Sequence, residues 1–172
     1  MKSGGYILDT KDEIDHYIKF NYVENAWDFG TLNRTVWLDK GVFQKPYALD
    51  ETGTLFVHET GNDNDSQPME AFITTAYFDI ADGTDLLFMD RIVPDLTIPD
   101  NKSISVSVFV KKYPHPQAEI VTKGPFIFDD SDHKISLRAR GRQMALEFRS
   151  NINGGDFELG KIRIGYQPDG ER

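Results

Sequence analysis

Cysteine is absent from the 172 residues, so neither a disulfide framework nor a cysteine-based zinc site can hold this chain together. Long apolar runs are absent as well. A stretch such as Leu86-Leu87-Phe88-Met89 is far shorter than the roughly 20 apolar residues a spanning helix needs. No apolar stretch follows Lys2, so no secretory signal is expected, and the chain is read as cytosolic or as leaving the cell by a route such as lysis. Positive charge is scarce: 19 Lys and Arg stand against 28 Asp and Glu, giving a net charge of −9 and a pI near 4.8. Such a chain repels nucleic acid and anionic membranes over most of its surface, so neither is expected as a general partner. Helical periodicity is almost missing too.

Aromatic residues and period-two alternation are what the chain does have. Twelve Phe, seven Tyr and two Trp argue against disorder and suit pleated, half-buried strands. At this length the chain buries roughly 70% of its unfolded surface and needs no staple. From Ile14 to Tyr22, alternation places Ile14, His16, Ile18, Phe20 and Tyr22 on one face. Thr54 to His58 reads as a short strand, and Ala71 to Ile80 as a strand inside a sheet. Ser103 to Tyr113 is the cleanest signal, with Ile104, Val106, Val108 and Val110 on the buried side. Lys134 to Arg140 puts Ile135, Leu137 and Ala139 inside, and Gln143 to Ser150 does the same for Met144, Leu146 and Phe148. Gly141-Arg142 connects them tightly. A change of parity between Leu159 and Ile162 predicts a β-bulge at Gly160. Turn clusters fall at Asp50 to Gly53, Gly61 to Pro68, Ala81 to Gly83, Pro94 to Asn101 and Asp129 to Asp132. The expected fold is all-β: a β-sandwich of jelly-roll type over 31–172, preceded by a strand arm over 1–30.

Catalytic signatures are missing. His58-Glu59 opens like a zincin motif, but the second histidine would be needed at position 62, which is Asn62. His16 sits among strand residues as a structural histidine, and His115 lies between two prolines in an extended loop. The oxygen-rich runs Asp63 to Ser66 and Asp129 to Asp132 lack the spacing and helices of a calcium loop and read as solvated turns. No G-x-S-x-G, cysteine nucleophile or phosphate loop occurs. A pair of carboxylates for glycoside hydrolysis would leave no local signature. The chain is therefore read as a non-enzyme with no metal and no cofactor.

One cluster is basic: Arg138, Arg140, Arg142 and Arg149, with Arg163 on the last strand. It fits either a solvent face balanced by Glu147 and Glu158 or a docking surface for carboxylates or phosphate on a partner. The acidity of the chain favours a protein partner. A carbohydrate- or receptor-binding module using Trp27, Trp37 or Tyr113 as a sugar platform is the alternative.

The run Leu137 to Ser150 (LRARGRQMALEFRS), followed by Phe157 to Arg172 (FELGKIRIGYQPDGER), resembles the C-terminal end of tailed-phage virion proteins of the packaged-DNA stabilisation or tail accessory group. Their ends read R-G-R-Q-M-x-L, W-R-L-G and P-D-G-R-R. Tyr22 to Trp37 and Leu55 to Gly61 are similar to the region just upstream. Phe157 stands where Trp is usual, Glu158 and Glu171 replace arginines, and Glu147 sits where a basic residue is frequent. The resemblance implies a head-to-tail connector subunit in the virion. It would assemble as a homo-oligomeric ring with other tail proteins and help retain packaged DNA. It also implies that residues 1–30 are the remnant of a propeller-like region. The chain is then a short relative or a fragment of a longer protein.

Overall fold

A computed structural model describes residues 15–170; Ile14 and Glu171 lie outside that range. The described residues contain no α-helix, only strands and one 3-10 turn at Ala81–Gly83. They divide into two compact units between Gly61 and Asn62.

In the first unit, β1 (His16–Asn21) and β2 (Ala26–Thr31) form an antiparallel hairpin. Its register sets Ile18 opposite Phe29 and Phe20 opposite Trp27, whose ring centroids are 4.6 Å apart. That pairing joins aromatic residues across the strands, a contact that stabilises such a pair. Three short strands follow: β3 (Val36–Leu38), β4 (Tyr47–Leu49) and β5 (Leu55–Val57), in the order β3-β4-β5. The turn between β4 and β5 is held by Asp50, whose Oδ1 accepts the backbone N–H of Thr52 (3.0 Å) and Thr54 (2.9 Å). The boundary expected after residue 30 therefore differs from the observed division after Gly61. The three strands beyond the arm pair with one another and join neither sheet of the second unit.

The second unit opens with a small hairpin, β6 (Asp63–Asn64) and β7 (Gln67–Pro68). Its two turn residues, Asp65 and Ser66, both have left-handed backbones (φ 51° and 63°), as a two-residue hairpin of matched twist requires. Seven strands then make the body: β8 (Ala71–Thr74), β9 (Leu87–Thr97), β10 (Ser103–Lys111), β11 (Ile120–Asp129), β12 (Ile135–Gly141), β13 (Gln143–Ser150) and β14 (Glu158–Pro168). They form two antiparallel sheets, ordered β11-β10-β13-β8 and β12-β9-β14. Leu87, Met89, Ile92, Ile135, Leu137 and Ala139 of the smaller sheet share one buried cluster with Ile104, Val106, Val108, Phe128, Leu146 and Phe148 of the larger. Two sheets meeting over one apolar layer make a sandwich. The described sandwich has seven strands, in sheets of four and three, where a jelly roll has eight.

The alternation read from the sequence sets the buried faces of β10, β12 and β13: Ile104, Val106, Val108 and Val110 lie inside, as do Ile135, Leu137, Ala139, Met144, Leu146 and Phe148. The bulge is also where expected, with the β9–β14 register shifting between Leu159 and Ile162. Residues 71–80 differ from expectation. The strand stops at Thr74, at a sheet edge and exposed along its length. After an excursion at Ala76-Tyr77 the segment rejoins β13 through a single bridge, Phe78 to Met144. The excursion places the Tyr77 ring under the Lys111 ammonium, 4.1 Å from its centroid.

Two of the seven strands in the sandwich body went unread in the sequence. In β9 the buried parity switches from Leu87 and Met89 to Ile92 and Pro94, across the unpaired Asp90. Pro94 mimics a turn signal there but sits within the strand. In β11 Gly124-Pro125 looks like a turn and is instead a bulge, where two residues oppose Ser107 alone. Gly124 has φ +104°, and a Cβ there would lie 2.8 Å from the Val106 carbonyl oxygen; only glycine fits.

Phe148 is fully buried between the sheets, whereas Ile127 is 65% exposed. Phe148→Ala is expected to lower unfolding stability by about 3–5 kcal/mol, and Ile127→Ala by less than about 0.5 kcal/mol. Urea unfolding followed by far-UV circular dichroism measures both, because the two tryptophans, Trp27 and Trp37, report only the first unit.

Candidate functional site

The five arginines do not form one face. Although β12 and β13 are joined directly, they belong to opposite sheets. The polar parity of β12 (Arg138, Arg140) and that of β13 (Arg149) therefore point away from opposite sides of the sandwich. Arg163, on β14, is separated from β12 by β9.

Each arginine has its own surroundings. On the outer face of the larger sheet, Arg149 donates from Nε to Glu147 Oε1 (3.0 Å) and from Nη2 to Glu147 Oε2 (3.1 Å). It also pairs with Glu70 and lies over the Phe72 ring, 4.6 Å from its centroid. These carboxylates hold its guanidinium above its ordinary pKa, and in return Arg149 pulls the Glu147 carboxyl below its ordinary value. Arg142, in the crossover, donates to the carbonyls of Gly83 (3.1 Å) and Thr84. Arg140 pairs with the Asp169 carboxylate and donates to the Asp169 carbonyl (3.1 Å). Arg163 is exposed. The balancing of charge foreseen for Glu147 is present, but with Glu70 and Arg149 as its company; Glu158 is exposed.

Two of the five arginines do converge, with two lysines the sequence reading missed. Arg138 and Arg140 reach a groove of about 350 Å³ that Lys112 and Lys123 also line. Its apolar floor comes from Leu86, Phe88, Val110 and Val121. The groove lies between the two terminal strands β11 and β12, where neither sheet has a further neighbour among the described residues. Lys123 enters it because of the bulge at Gly124-Pro125. Beyond the bulge, Lys123 is registered with Val108 and Val121 with Val110, both inward residues, so these two side chains take the inward parity. Without β11 recognised as a strand, no sequence signal could place Lys123. Among the described residues Lys112, Lys123 and Arg138 have no carboxylate partner, and Lys112 lies over the Tyr113 ring at 5.7 Å.

The remaining candidates are built as turns and packing. Asp129 Oδ1 accepts the N–H (2.9 Å) and Oγ–H (2.7 Å) of Ser131, which hold its carboxyl below its ordinary pKa. Asp63 accepts the Gly154 N–H, and Asn153 Nδ2 donates to the Ser66 carbonyl (2.8 Å), so the β6–β7 hairpin is fastened to the turn before β14. His58 stacks against Trp37 (4.6 Å), where burial and then the Arg34 charge push its pKa down. Arg34 itself is buried and lies over Phe56, 3.6 Å from the ring centroid. Trp27 is the open aromatic, 71% exposed, while Trp37 is 38% and Tyr113 56% exposed. No group of three or more metal-ligating side chains gathers among the described residues.

No protein-family profile matches the sequence, and comparison with curated proteins finds no match.

Because the folded Glu147 carboxyl has a lowered pKa, its contribution is complete above the unfolded value near 4.5 and is lost as the pH falls through the folded value. Glu147→Gln is therefore expected to flatten the loss of stability on acidification from about pH 6 to about pH 3. Urea midpoints across that range, compared with the native chain, measure the effect.

Proposed function

We propose that this chain is a structural subunit of a tailed-phage particle, in the tail-side assembly that closes the capsid exit. In this reading it works by docking on neighbouring subunits, catalyses nothing, and resides in the virion. The observation that carries the proposal is the groove: three cations, Lys112, Lys123 and Arg138, without a carboxylate partner among the described residues, over an apolar floor and between two strand edges open among the described residues, on a chain of net charge −9. Open edges that carry apolar side chains are surfaces for another chain. Ile120, Val121 and Ile127 along β11 are 49%, 45% and 65% exposed.

The residues that carry the phage resemblance do structural work in this sandwich. Gly141 passes so close to β10 that a Cβ there would collide with Val110 Cγ1. Arg142 binds two carbonyls of the preceding turn, Gln143 Nε2 donates to Asp79 Oδ2 (3.0 Å), and Met144 is fully buried. In the closing Pro168-Asp169-Gly170, Asp169 pairs with Arg140, and two backbone bonds join Asp169 and Gly170 to Leu86 (2.7 and 2.8 Å). These residues of the quoted pattern help the sandwich to close.

Antibody raised against the chain is expected to detect it in purified phage particles from the source, at 19.6 kDa or as part of a larger polypeptide. Signal confined to cell extract and absent from particles would overturn the proposal.

A further inference from the structure

We propose that the groove between β11 and β12 receives an extended acidic segment of a neighbouring protein, whose carboxylates meet Lys112, Lys123 and Arg138. The inference rests on the docking role proposed above and names the chemistry of the partner.

Three observations lead to it. First, β11 and β12 are each the last strand of their sheet among the described residues, so their outer backbone groups have no strand partner. An extended segment can satisfy such groups by adding as a strand. Second, the bulge at Gly124-Pro125 puts Lys123, an exposed residue, on the groove side of this edge, in register with Val108. A charge that faces the groove from an edge strand works against pairing with an apolar strand, because an added strand would cover the ammonium without giving it a partner. A strand bringing a carboxylate removes that penalty, so the same lysine that excludes apolar edges selects acidic ones. Third, the floor of Phe88, Val110 and Val121 is apolar. A strand's side chains alternate, so apolar residues can meet this floor while carboxylates meet the cations at its rim.

Nucleic acid is the competing polyanion. It fits the groove less well, because the chain's negative charge opposes a long phosphate backbone. A segment of a few carboxylates meets only the local field. Arg140, held by Asp169, keeps the β12 side of the rim in place.

The test uses the whole purified chain and a fluorescein-labelled peptide of alternating valine and glutamate, with fluorescence polarisation as the readout. Saturable binding is expected. It should weaken about tenfold in Lys123→Glu and in Arg138→Glu, each shown by circular dichroism to be folded, and stay unchanged in Arg163→Glu. Replacing glutamate by lysine in the peptide should abolish it. Four results would overturn the proposal: no binding, equal binding of a valine–glutamine peptide, indifference to both charge reversals, or preference for labelled single-stranded DNA. The assay needs no virion, so a groove that fails here leaves the particle reading to its own experiment, and the reverse holds as well.

Discussion

The sandwich depends on one close approach, where the chain crosses from one sheet to the other at Gly141-Arg142. The Arg142 N–H bonds the Lys111 carbonyl (2.9 Å), and any side chain at position 141 would collide with Val110. In two residues the backbone leaves the edge of the smaller sheet and enters the interior of the larger one, where β13 lies between β10 and β8. Everything nearby is arranged around that step. Arg142 anchors the preceding turn, Met144 starts the buried row that runs to Phe148, and Arg140 catches Asp169 from the end of β14. A pair with surface exposure adds little on its own. Here it acts with the Leu86 backbone bonds to fasten the last strand beside β9.

The same crossing explains what the sequence could and could not reveal. Alternation identifies faces, and the faces of β10, β12 and β13 were legible because one side of each is apolar but for Ser150 at the end of β13. Pairing is another matter, since alternation holds no information about which strand lies beside which. Two alternating strands joined by Gly141-Arg142 read naturally as a hairpin, and on that reading the arginines share a face. The crossover separates them instead. Strands β9 and β11 were hidden by their irregularities, for a parity switch and an internal proline look like turns to a reading based on period. The bulge at Gly160 was legible because apolar residues flank it on both sides and change parity once.

The groove belongs to the part that was not legible. Half of its cations were in the basic cluster read from the sequence; Lys112 and Lys123 were not, because their position depends on the register of β11. Irregularity and site coincide here. The bulge that disguises β11 also puts Lys123 on the groove side and leaves the edge cationic. Such a feature costs the fold a regular ladder, and edge strands are where bulges and charges deter unwanted pairing. On the docking role proposed above, an edge protected in this way would discriminate between partners by charge.

The central structural claim is that β12 and β13 lie in opposite sheets. Cross-strand nuclear Overhauser contacts in the isotope-labelled protein test it most directly. Backbone contacts are expected from Ala139 to Met89 and from Leu146 to Val108, with none linking Ala139 to Met144. A ladder of contacts joining Arg140 to Gln143 and Ala139 to Met144 would mean a hairpin, and would contradict both the sandwich and the groove built upon it.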